Sequence, residues 1–85
     1  MCCALRYRGL DQAALADGAG IGWSARNIRF QGGASAEPGA ALEIRLDAVR
    51  GLIPELMILA EVTACEAQGR NQFELAAAIR GILAL

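Results

Sequence analysis

Polar and apolar residues alternate with a period of two along much of this chain, the signature of strands with one buried face. The clearest case is Ala40 to Val49. There Leu42, Ile44, Leu46 and Ala48 alternate with Glu43, Arg45 and Asp47, which predicts a strand with its apolar residues inside and its charges outside. Ala4 to Leu10 reads the same way, with Leu5 and Tyr7 on one face and Arg6 and Arg8 on the other. Ile21 with Trp23, and Ile28 with Phe30, mark two shorter strands meeting at a polar turn. Leu56, Ile58, Ala60, Val62 and Ala64 predict a long inward face, and Phe73, Leu75, Ala77 and Ile79 a last one.

Breakers separate these runs. Asp11 to Gly20 is small and polar and predicts a loop, with room for one helical turn at Gln12–Leu15. Gly32-Gly33 through Pro38-Gly39 predicts a second loop, Gly51 and Pro54 bound a third, and Gln68–Asn71 predicts a turn. Gly81 to Leu85 is left as a tail. Six strands with turn signals between them predict an all-β domain, a small six-stranded antiparallel barrel. A helical reading of 55–66 and 71–85 stays open on sequence grounds, because Asn71 and Glu74 have the spacing of a capping box and Ala and Leu form helices well. The strand reading is preferred, because the strand at Leu42–Val49 needs partners and a lone strand is not stable.

Composition narrows the function classes. Eighty-five residues predict one domain, 1–85, with a modest core. A hydrophobic content of 55% argues against disorder, and a net charge of −1 gives no pull toward a nucleic-acid polymer or an anionic membrane. All eight basic residues are Arg, which, with abundant Ala, points to a GC-rich bacterial coding bias. There is no His, so the usual general base and the commonest neutral metal ligand are missing. The carboxylates Glu43, Asp47, Glu61 and Glu74 fall singly on outward positions and Glu66 at a strand end, and we expect no enzymatic activity, no catalytic residue, no metal and no cofactor. Cys2, Cys3 and Cys65 do not form a disulfide framework, so a reducing, cytoplasmic setting is expected; Cys2 and Cys3 read as incidental thiols rather than a metal or lipid site. The apolar runs are too short for membrane insertion. Gly18-Ala-Gly20-Ile-Gly22 lacks the spacing of a dinucleotide loop and reads as close backbone packing.

Two features carry candidate function. The first is the turn after Trp23. Gly22, Trp23, Ser24 and Asn27 stand where a family of small barrels carries Asp/Asn-apolar-Ser-x-x-Gly, and the following segments Ile28–Phe30, Pro38-Gly39, Leu42–Asp47, Val62–Glu66, Gln68–Arg70 and Phe73–Ile79 keep that family's order. On these residues the chain resembles the PilZ domain family. The resemblance implies a β-barrel signalling module linked to cyclic di-GMP and to bacterial motility, pili or biofilm. It also implies a nucleotide site, for which Arg6, Arg8, Ser24, Arg26 and Asn27 are the candidates. The chain departs from the family in two places: no Arg-x-x-x-Arg precedes the first strand, and Gly22 replaces the acidic residue. The expectation is therefore an adaptor with a degenerate nucleotide site, with a working cyclic di-GMP receptor using Arg6, Arg8, Arg26 and Ser24 as the alternative.

The second feature is an outward apolar stripe. If Ile58 and Val62 face inward, Met57 and Leu59 face outward, as do Ala76 and Ala78 on the last strand. Either the tail with Ile82, Leu83 and Leu85 covers this stripe, or a protein partner or second copy does.

Overall fold

The computed structural model describes residues 4–46 and 56–84, and these contain no helix. Six strands run β1 Ala4–Gly9, β2 Ala16–Trp23, β3 Asn27–Gly32, β4 Ala41–Leu46, β5 Leu56–Gly69 and β6 Gln72–Ala84. They close into an antiparallel barrel in the order β1-β2-β3-β6-β5-β4. The chain is thus two three-stranded meanders, joined through the β3–β4 loop and sealed by β1 against β4 and β3 against β6. The period-two pattern decides which residues fill the interior. Leu5, Tyr7, Ile28, Phe30, Ile44, Ile58, Val62 and Leu75 are all buried there.

The helical alternative is excluded over 71–84. Asn71 sits in the hairpin turn between β5 and β6 with a left-handed φ of 54°, which a helix N-cap does not have. No helical turn forms at Gln12–Leu15 either; Gln12 N donates to Gly9 O (2.9 Å) in a simple turn. The β3–β4 loop ends in a β-turn at Glu37–Ala40, where Ala40 N donates to Glu37 O (3.0 Å) and Gly39 takes φ 91°. Pro38 followed by a left-handed glycine is the type II arrangement.

Three sequence expectations need correction. Strand β2 begins at Ala16, so most of the loop expected up to Gly20 is strand. Its inward position Gly18 pairs with Gly32, and the Tyr7 ring lies over this glycine pair, close enough that a Cβ at Gly32 would overlap the phenol. The alternation was invisible because a neighbour's side chain fills the space. Ala64 faces outward, because a bulge between Val62 and Ala64 flips the strand and places Cys65 against the core instead. Gly81 to Ala84 is strand rather than tail, paired with Leu59 to Leu56. Ala48, Asp47, Leu85, Cys2 and Cys3 lie outside the described residues.

Candidate functional site

The β2–β3 turn closes on itself. Ser24 N donates to Asn27 O (2.8 Å), and Ser24 Oγ accepts from Asn27 N (3.2 Å) and more weakly from Arg26 N (3.4 Å). The Ser24 hydroxyl is therefore a turn-forming group. Asn27, which stands at the glycine position of the family motif, opens β3 without a left-handed φ. The Arg26 carbonyl accepts from Ile79 N (2.7 Å), and among the described residues its guanidinium has no partner. Arg29, which the sequence reading did not single out, lies beside this turn and binds Glu74 at 2.6 Å. Gly22, Trp23, Ser24, Asn27 and Arg29 line a shallow depression of about 240 Å³. That is below the roughly 300–1,000 Å³ of a small-molecule site.

Arg6 and Arg8 lie elsewhere. Arg6 stands opposite Asp17 on β2, and the turn at Ser24 is farther along that strand, roughly 20 Å away at about 3.3 Å per residue. The five candidate residues therefore split into two groups: Ser24, Arg26 and Asn27 at the turn, Arg6 and Arg8 on the outer wall. Arg8 is also engaged. Its Nε and Nη2 donate to Glu43 at 3.4 and 3.2 Å, and Arg45 Nε donates to the same carboxylate at 2.8 Å.

Glu43 faces outward, as its place in the alternation predicts, yet its side chain is only 8% exposed. The two arginines cover it. Their hydrogen bonds, Arg8 first and then Arg45, hold its carboxyl below the usual glutamate range, against a smaller opposing effect of burial. This hub was missed because cross-strand register, rather than sequence spacing, brings Arg8 to Glu43. Tyr7 is the other buried polar group of note. Its hydroxyl donates to Ala34 O (2.6 Å) and accepts from Ala34 N (2.9 Å), and burial pushes its phenol upward.

A larger open groove of about 420 Å³ lies at the opposite end of the barrel, between Asp17–Ala19, Gln31–Gly33 and the Arg70–Gln72 turn. Of its glycines, Gly32 is required by Tyr7 and Gly18 by the Gln31 carbonyl, and none of the candidate residues lines it.

The apolar stripe is dispersed rather than joined. Met57 pairs with Leu83 and Leu59 with Gly81, whereas Ala78 faces Glu61 and Ala76 faces Ala64. Met57 and Leu59 are half-buried, and Leu83 beside them is 50% exposed. No family model matches the chain, and no curated protein or solved structure is significantly similar to it.

Proposed function

We propose that this protein is a non-enzymatic PilZ-like module in cyclic di-GMP-linked bacterial regulation, a cytoplasmic adaptor that acts through protein contacts and has lost most of its nucleotide site. The separation of the candidate residues carries this reading. A cyclic dinucleotide needs several arginine forks converging on guanine edges and phosphates. Here the β2–β3 turn offers the guanidinium of Arg26 alone, with Arg29 held by Glu74 and Arg8 held by Glu43 on another wall. The Ser24 hydroxyl is committed to its own turn, and Gly22 supplies no acceptor side chain. The receptor alternative would rest on Arg26 beside the half-buried Trp23.

Calorimetric titration with cyclic di-GMP tests the two readings. With Arg8 and Arg29 engaged by Glu43 and Glu74, two charge-assisted contacts, each worth about 1.5–3 kcal/mol, are withheld from a nucleotide, which predicts binding weakened on the order of a hundredfold or more if the terms add. Micromolar or tighter affinity, abolished by Arg26→Ala, would establish the receptor instead.

A further inference from the structure

Strand β6 outruns its neighbour. Asn27, the first residue of β3, pairs with Ala78, and the Arg26 carbonyl takes the N–H of Ile79. Beyond that point, among the described residues, Arg80 to Ala84 has β5 on one side and nothing on the other. The main-chain directions along this edge follow from the ladder. Val62 N donates to Ala40 O (2.9 Å), so the residues in step with it on β5, Ala60 and Ile58, turn their main chain toward β4. Leu59 and Met57 therefore turn theirs toward β6, where their partners are Gly81 and Leu83. Ile82 is left with its N–H and C=O directed at the open side.

The same edge is apolar on both faces. Ile82 shares the core-side register of Ile58, but at a level where β3 has ended, and it is 47% exposed. Leu83, on the outer face beside Met57, is 50% exposed. The usual guards of an edge strand are absent. There is no Pro or Lys, and Arg80 turns its guanidinium to Glu61 at 3.3 Å.

We propose that a second copy of this chain pairs antiparallel with β6 along this edge, about a two-fold axis at Ile82. The residues at the edge fit such a copy. Pairing about Ile82 puts Ile82 opposite its own counterpart, with each N–H meeting the other's C=O. It also puts Leu83 of each chain opposite Gly81 of the other, on the same outer face. A Cβ built at Gly81 has nothing within 4 Å, so the glycine leaves the space that a facing leucine fills. Met57 and Leu59 border this space on β5. The contact is isologous and closes at two copies. It deepens the adaptor reading by naming one partner and rests on that reading's premise that the module acts through protein contacts.

Sedimentation of the purified protein over a concentration series tests the proposal. The expected result is a species of twice the 8.9 kDa chain mass at high concentration. Leu83→Glu sets carboxylates against the facing glycines, and Ile82→Pro removes an N–H that bonds to no other described residue. Each should return the protein to monomer with its far-ultraviolet spectrum retained. Exchange of the Ile82 amide in the wild type should slow as concentration rises, a readout that needs no substitution. A wild type that stays monomeric at its highest soluble concentration overturns the proposal. So does a dimer that survives both substitutions, which would mean that another surface holds it. The nucleotide titration is independent: tight cyclic di-GMP binding by a dimer would remove the adaptor reading and leave the edge pairing standing.

Discussion

At the scale of single residues, Glu43 shows how an outward position becomes a buried one. Alternation along β4 sends its carboxylate outside, and cross-strand pairing then brings Arg8 over it while Arg45 reaches back from two residues along the strand. Because both hydrogen bonds favour the ionised form, the folded state holds the proton less tightly than the unfolded chain does. The stabilisation is therefore present above the ordinary glutamate range and is lost as pH falls through it, below about pH 4. Both arginines are partly open to solvent, which limits the effect to about 1 kcal/mol. Acid unfolding of Glu43→Gln, followed by circular dichroism, should show a shallower loss of stability through that range than the wild type, with reduced stability at neutral pH. Identical acid limbs would mean that the hub contributes nothing.

At the scale of elements, legibility followed the side chains. Strands β1, β3 and β4 and the inward faces of β5 and β6 could be read because apolar residues, most of them large, recur at every second residue. Strand β2 could not, since its inner positions Gly18 and Gly20 carry no side chain and the pattern that defines it sits on β1 and β3. The bulges on β5 and β6 were equally silent, which is why Ala64 was expected inside and 81–85 was expected to be a tail. Of the candidate site, the turn at Ser24 was legible as a turn. Its separation from Arg6 and Arg8 was not, because that depends on the direction of β1 against β2. The glycine pair gives a direct test. Gly32→Ala would drive a methyl into the Tyr7 phenol and cost about 2–3 kcal/mol in urea unfolding. In combination with Tyr7→Val the penalty should be far from additive. A Gly32→Ala variant within a few tenths of wild-type stability would refute the close approach.

At the scale of the whole molecule, two meanders joined by one loop have a kinetic consequence. Each meander can zip up from local hairpins, but the seams join residues far apart in the chain: Leu5 with Leu46, and Asn27 with Ala78. Neither meander buries its apolar face alone, since Tyr7 and Phe30 from the first pack in the same core as Ile44 and Leu75 from the second. The loop-closure entropy of both seams must be met before that core forms. Folding should accordingly fall in the slow, high-contact-order regime of milliseconds to seconds, with Leu42→Ala in the seam of β1 and β4 slowing refolding in stopped-flow experiments. Cutting the chain between Ser35 and Glu37, which are both exposed, turns that closure into an encounter between two molecules. Each half should then be unstructured alone, and strand signal should return on mixing at a rate that rises with concentration. The β3–β4 loop is in this sense a tether, whose contribution is the effective concentration at which one half of the barrel meets the other.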